Sequence, residues 1–214
     1  MRVSGAVLWE RLLADLPLIG ILRGVTPSEV VPVAEALSSA GFICVEVPLN
    51  STAALESIRR IRERFDGRLL IGAGTVLTEA EVSAAHRVGA QVVVSPNTNP
   101  AVIAAARRLE LLSIPGFATP TEALIGMAAG ASALKLFPAE PAAAAGLRAL
   151  RAVVLPSLPI FPVGGITPTN MAGFMAAGAS GFGIGSSIYT PGMTADIVAQ
   201  RAAMFVKAWA EVRQ

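Results

Sequence analysis

The chain has one cysteine and one histidine in 214 residues. Cys44 alone cannot form an intramolecular disulfide, and Cys44 with His86 makes too small a set of soft ligands for an ordinary zinc site. A metal-dependent mechanism is therefore not expected. Lysine is nearly as scarce, with Lys135 and Lys207 set against 15 arginines. Charged residues make up 15% of the chain and the formal net charge is +2, so a nucleic-acid surface is not expected either. Apolar residues reach 53%, which argues against disorder, yet no uninterrupted apolar run is long enough to span a bilayer. The first turns carry Glu10 and Asp15 without a small-residue cleavage site, so no secretory signal is expected and the default compartment is cytoplasmic. No dinucleotide-binding Gly-x-Gly-x-x-Gly opening is evident.

What the sequence does contain is a repeating grammar of short apolar run, turn, helix-like segment and glycine. Eight runs read as strands: Leu18 to Leu22, Cys44 to Leu49, Leu69 to Ala73, Val92 to Ser95, Leu111 to Ile114, Ala133 to Phe137, Ile160 to Val163, and Gly181 to Ile184. Thr26-Pro27-Ser28-Glu29, Thr78-Glu79-Ala80-Glu81 and Thr119-Pro120-Thr121-Glu122 have the capping-box pattern of helix starts. Gly41, Gly67, Gly89, Gly130 and Gly178 fall where those helices should stop. A leading helix from about Val7 to Leu16 and a closing helix from Thr194 to about Arg213 bracket the units. The expected fold is α/β, a (β/α)₈ TIM barrel with an N-terminal helix, in a single domain over 1–214. An open doubly wound sheet is the competing architecture.

Chemistry gathers at the strands. Lys135 lies within Ala133-Leu134-Lys135-Leu136-Phe137, and strand alternation places it opposite Leu134 and Leu136. If those two leucines meet the helix layer, the amine points into the barrel. Desolvation there lowers its pKa and frees the lone pair needed to attack a ketone. Glu46 interrupts Cys44-Val45-Glu46-Val47-Pro48 with the same inward parity, suited to moving protons. A structural salt bridge between the two is the plainer alternative. Arg23, after the first strand, can clamp a carboxylate or a phosphate. Gly72-Ala73-Gly74-Thr75 ends the third strand with room for substrate beside the backbone and a hydroxyl donor. Pro96, in Ser95-Pro96-Asn97, can shape an apolar wall, although turn formation explains it equally well. Late in the chain, Gly164-Gly165 and Gly185-Ser186 end neighbouring strands and can offer backbone N–H groups to phosphate oxygens. His86 reads as a helix-surface residue, and Trp9 and Trp209 as packing or interface residues.

Taken in order, Ile21-Leu22-Arg23-Gly24, Glu46-Val47-Pro48-Leu49-Asn50-Ser51, Gly72-Ala73-Gly74-Thr75-Val76, Ser95-Pro96-Asn97, Leu134-Lys135-Leu136-Phe137-Pro138, Pro162-Val163-Gly164-Gly165-Ile166 and Gly183-Ile184-Gly185-Ser186 span nearly the whole chain. This set resembles the 2-keto-3-deoxy-6-phosphosugar-acid aldolases. The resemblance implies a trimeric class I aldolase that needs no cofactor or metal. It further implies Lys135 as the imine-forming lysine and Glu46 as the proton-transfer residue. Arg23, Thr75, Pro96 and Phe137 would line the substrate site, and Gly164, Gly165, Gly185 and Ser186 would hold the phosphate. Leu49-Asn50-Ser51 and Val163 are similar to the galactonate-acting members, where gluconate-acting relatives usually carry Arg and Thr variants. The implied partners are a phosphorylated 2-keto-3-deoxy sugar acid, pyruvate and glyceraldehyde 3-phosphate, with no nucleic acid and no membrane. A gluconate-acting or dual-specificity aldolase remains the near alternative, and a sugar-phosphate isomerase or epimerase the distant one.

Overall fold

The structure is a computed structural model that describes residues 4–213. In chain order the elements are α1 (Gly5–Ala14), β1 (Leu18–Ile21), α2 (Val30–Ser39), β2 (Cys44–Pro48), α3 (Ala54–Phe65), β3 (Leu70–Gly74), α4 (Glu79–Arg87), β4 (Val92–Val94), α5 (Pro100–Arg108), β5 (Leu112–Ile114), β6 (Gly116–Phe117), α6 (Pro120–Ala129), β7 (Leu134–Leu136), α7 (Ala139–Arg151), β8 (Ile160–Pro162), α8 (Met171–Ala176), β9 (Phe182–Ile184) and α9 (Ala195–Val212). Each of the eight expected strands coincides with one of these within a residue or two at its ends.

The expected closed eight-stranded sheet is not what the pairing gives. The strands lie parallel in two sheets, ordered β5-β4-β3-β2-β1-β9 and β6-β7-β8. The sheet is an open half-barrel that curls through 204°, its edges 11 Å apart. One break has a clear cause at Pro115, which has no N–H to donate and separates β5, the expected fifth strand, from the additional short strand β6. At the other edge, β8 and β9 meet through the isolated bridge between Val163 and Gly183. The architecture is thus an α/β fold of parallel sheets surrounded by helices, with α1 leading.

Two of the three capping boxes form. Thr78 and Thr119 each accept the N3 amide, while Glu81 and Glu122 reach back to the cap amides. The third differs, and α2 starts only at Val30. Glu29 accepts from both the amide and the hydroxyl of Thr26, and residues 27–29 form a turn before the helix. Pro32 then falls in the first helical turn, where its missing N–H costs nothing. At the end of α6, Gly130 adopts φ 87° and its amide closes onto Gly126 and Met127, and the other four expected stops also have positive φ.

Strand alternation divides the core in two. Outward residues such as Val45, Val47, Leu134 and Leu136 pack beneath the helices. Inward residues Ile19, Cys44, Leu70, Val92, Val94, Ala133 and Phe161 form a second cluster with Leu8 and Leu12 of α1. Both leucines are fully buried, and Trp9 packs beside Phe161 at 6.0 Å between ring centroids, as its packing role requires. Because Ile43, Leu70 and Ala133 belong to strand beginnings, α1 plugs the N-terminal end of the sheet. The polar residues sit nearer the opposite end. No helix among the described residues is long and apolar enough to cross a membrane.

Candidate active site

The inward parity read from the sequence holds for both central residues. Glu46 pairs across to Ile21 and Gly72, and Lys135 to Gly116 and Phe161. Glu46 is 2% exposed and Lys135 5%. Burial is the largest influence on each and favours the neutral form, holding the Glu46 carboxyl above its usual range and the Lys135 amine below its own. Their mutual field works against this, and the Arg23 charge lowers both. Glu46 Oε2 is buried without a hydrogen-bond partner. A satisfied structural salt bridge would not leave that oxygen unpaired, so the plainer alternative loses its main support. The Lys135 Nζ lies 4.7 Å from the centroid of the half-buried Phe137 ring, which packs over the amine. Lys207, by contrast, is exposed on α9.

The third strand's glycines have a different purpose from the one expected. An added Cβ at Gly74 would lie 1.5 Å from Glu46 Oε2, and one at Gly72 would lie 3.0 Å from Glu46 Cβ. The space beside this backbone is filled by the Glu46 side chain rather than kept free for substrate. Thr75 follows with φ 56°, a strained left-handed conformation for a β-branched residue, and it is half-buried at the strand end.

Arg23 is exposed, and its Nη1 donates to Asn50 Oδ1 at 2.9 Å. The next residue, Gly24, donates its amide to the buried Ser51 Oγ at 2.8 Å. The Asn50-Ser51 dipeptide therefore fixes the Arg23 turn, a role that sequence reasoning did not assign because it joins loops 27 residues apart. Pro96 is half-buried, and its carbonyl oxygen would lie 2.3 Å from a Cβ at Gly116. Thr98 Oγ1 donates to the Gly116 carbonyl at 2.7 Å, so this loop is tied to the strand paired with Lys135.

Gly164 and Gly165 follow β8 at φ 107° and 62°, and Gly185 and Ser186 follow β9. A Cβ at Gly185 would meet nothing within 4 Å, so that backbone is open. The exposed Ser186 is anchored from behind, where Arg201 Nη1 donates to its carbonyl at 3.2 Å. The Gly164-Gly165 loop is not open in the same way. The Glu140 carboxylate lies against it, with Oε1 2.4 Å from where a Gly165 Cβ would be. Nothing in the sequence announces that neighbour.

His86 is exposed on α4 and Trp209 is buried in the helix layer, as expected. Among the described residues, no group of three or more His, Cys, Asp or Glu is placed to hold a metal ion.

A buried amine shifted toward its neutral form inside parallel strands is suited to reaction with a ketone, and the class so defined is the class I, Schiff-base aldolase. The chain belongs to the KDPG and KHG aldolase family, whose model matches residues 10–200. The 2-dehydro-3-deoxy-6-phosphogalactonate aldolase of Escherichia coli K12 is 44% identical over 199 residues, 93% of this chain and 97% of that one. A solved native KDPGal structure aligns with a TM-score of 0.92 at 44% identity, covering 94% of this chain and 97% of that chain. The KDPG aldolase of Legionella pneumophila, with pyruvate captured at low pH as a covalent carbinolamine intermediate, aligns with a TM-score of 0.77 at 27% identity over 98% of both chains.

Proposed function

We propose that this protein cleaves 2-dehydro-3-deoxy-6-phosphogalactonate to pyruvate and D-glyceraldehyde 3-phosphate, with Lys135 as nucleophile and Glu46 as the proton carrier. The observation that carries the reading is the buried pair itself, an amine shifted toward its neutral form beside a carboxyl whose Oε2 is unpartnered. The galactonate-acting relative supports the substrate.

The Lys135 amine adds to the C2 ketone, and the carbinolamine loses water to give an iminium. Glu46 takes the C4 hydroxyl proton. The C3–C4 bonding electrons move into the iminium, which leaves an enamine of pyruvate and releases the triose phosphate as an aldehyde. Protonation at C3 and hydrolysis of the iminium return pyruvate and the free amine. Arg23, held by Asn50, and Thr75 bind the carboxylate end, with the Pro96 loop and Phe137 as walls. The amides and hydroxyl of Gly164, Gly165, Gly185 and Ser186 bind the phosphate.

The same reading takes the chain as one domain over 1–214 whose two sheets complete one eight-stranded barrel. The pairing of Gly116 with Lys135 and the bridge from Val163 to Gly183 support that closure. We also propose a homotrimer, supported by exposed apolar side chains such as Leu124 and Ile125 on α6.

The test is borohydride reduction in the presence of pyruvate. The peptide containing Lys135 should gain the mass of a reduced pyruvyl group, and Lys135→Ala should neither label nor cleave substrate. Labelling confined to Lys207 overturns the assignment.

A further inference from the structure

The turn that follows β9 carries two serines with different surroundings. Ser186 is exposed, whereas Ser187 is half-buried. Ser187 Oγ donates to the Ile166 carbonyl at 2.7 Å, which ties this turn to the Gly164-Gly165-Ile166 loop 21 residues earlier. Among the described residues, that hydroxyl makes the one hydrogen bond between the two loops. Each loop is also braced separately at its carbonyls. Asn170 Nδ2 donates to the Gly165 carbonyl at 2.8 Å, and Arg201 Nη1 donates to the Ser186 and Ser187 carbonyls at 3.2 and 3.4 Å. In a trans peptide the C=O of one residue and the N–H of the next point in opposite directions. Holding the Gly165 and Ser186 carbonyls therefore turns the Ile166 and Ser187 amides away from the braces, and among the described residues neither amide donates a hydrogen bond. The rest of the turn is fixed by the Ile188 and Tyr189 amides, which both donate to the Gly185 carbonyl, and by the buried Tyr189 ring.

We propose that Ser187 is a positioning residue that sets the separation of the two loops, so that both close on one phosphate. The inference rests on the reading that these loops hold the substrate's phosphate. Ser187 acts through the backbone it ties and needs no contact between its hydroxyl and the ligand. Without that hydroxyl each loop keeps its own brace, Asn170 or Arg201, but the gap between them is no longer fixed. Amides contribute to anion binding only within hydrogen-bond distance, and bonds to an ionised acceptor are the strong ones. The loss therefore falls on phosphorylated ligands, while the bonds made and broken at Lys135 are the same for either tail.

The experiment runs the reaction in the synthetic direction, with pyruvate and either glyceraldehyde 3-phosphate or unphosphorylated glyceraldehyde, in the parent protein, Ser187→Ala and Ser187→Thr. The ratio of kcat/KM for the phosphorylated aldehyde to that for the unphosphorylated one should fall about fivefold in Ser187→Ala, through a higher KM for glyceraldehyde 3-phosphate. In Ser187→Thr, which keeps the donor, it should stay within about twofold of the parent. A serine that served only the fold would lower both kcat/KM values alike. A ratio unchanged in Ser187→Ala, or equally low in the two variants, overturns the proposal. Should the alanine variant not fold, Ser187→Cys keeps the volume with a weak S–H donor and reads the same ratio. Inhibition by inorganic phosphate against glyceraldehyde 3-phosphate separates this failure from that of the underlying reading. If phosphate inhibits the parent and Ser187→Ala with equal strength, only the role of Ser187 fails. If it inhibits neither, the phosphate site lies elsewhere and both readings fall.

Discussion

Replacing Gly74 with alanine tests whether Glu46 works by position. A methyl group there would lie 1.5 Å from Glu46 Oε2, 2.6 Å from Cδ and 3.1 Å from Oε1, so the carboxyl group cannot stay where it is. Gly74 is not among the positive-φ residues, so the backbone accepts alanine and the conflict is purely one of space. Relief requires the carboxyl to swing by more than an ångström. Misplacement on that scale costs about 10²-fold, and full loss of general acid–base assistance about 10²–10⁴-fold. Overpacking adds about 1–3 kcal/mol of destabilisation, which circular dichroism and thermal melting would register separately. The assay is single-turnover cleavage beside borohydride trapping with pyruvate. Gly74→Ala should still trap pyruvate on Lys135 while cleaving at least about a hundredfold more slowly. Adding Glu46→Asp withdraws the carboxyl by one methylene, about 1.5 Å, and should restore part of the rate in the double variant. A folded Gly74→Ala protein that cleaves within about threefold of the parent would refute the argument, because proton transfer would then not depend on Glu46's position.

Two further outcomes follow from the same geometry. Asn50→Ala removes the 2.9 Å hydrogen bond that orients Arg23 and should raise KM for pyruvate in the synthetic direction by about fivefold with kcat little changed. A kcat loss at constant KM would reject the positioning role. The pH dependence should have two parts of opposite origin. Glu46 acts as a base only when ionised and its pKa is raised, so cleavage should fail on the acid side at a higher pH than an ordinary glutamate, near 4.5, would dictate. Lys135 adds to the ketone only when neutral and its pKa is lowered, so imine trapping should reach its plateau below the ordinary lysine value of 10.5. Because the Glu46 charge raises the Lys135 pKa, Glu46→Gln should move the trapping midpoint to lower pH, and a midpoint that moves upward contradicts the coupling.

The central pair was legible in the sequence because alternation is local. Lys135 between two leucines and Glu46 between two valines each state their own direction. The Thr78 and Thr119 helix starts were legible for the same reason, each box being complete within four residues. At Thr26 the same letters gave only the glutamate's half of the box, Glu29 accepting the Thr26 amide while the helix starts at Val30. The division at Pro115 was visible in principle, as a proline directly after an apolar run signals a missing donor. What sequence could not supply were meetings between elements. Asn50 with Arg23, Gly74 with Glu46, and Glu140 with Gly165 each join residues from different elements or loops. The last pairing sets a carboxylate against a loop whose glycines suggested only an anion.

The α1 plug closes one end of the interior with Leu8 and Leu12, both fully buried among apolar neighbours. Every species in the proposed cycle must therefore use the same door. Substrate arrives there, the triose departs there, and the water that hydrolyses the iminium has no back route through a hydrocarbon floor. Such a chamber imposes a queue on the chemistry. The aldehyde leaves first because pyruvate stays covalently bound to Lys135 until the iminium is hydrolysed, and its departure makes room for the hydrolytic water. The covalent imine sets the order of release, and the terminal helix, remote from the reacting atoms, confines that traffic to one opening.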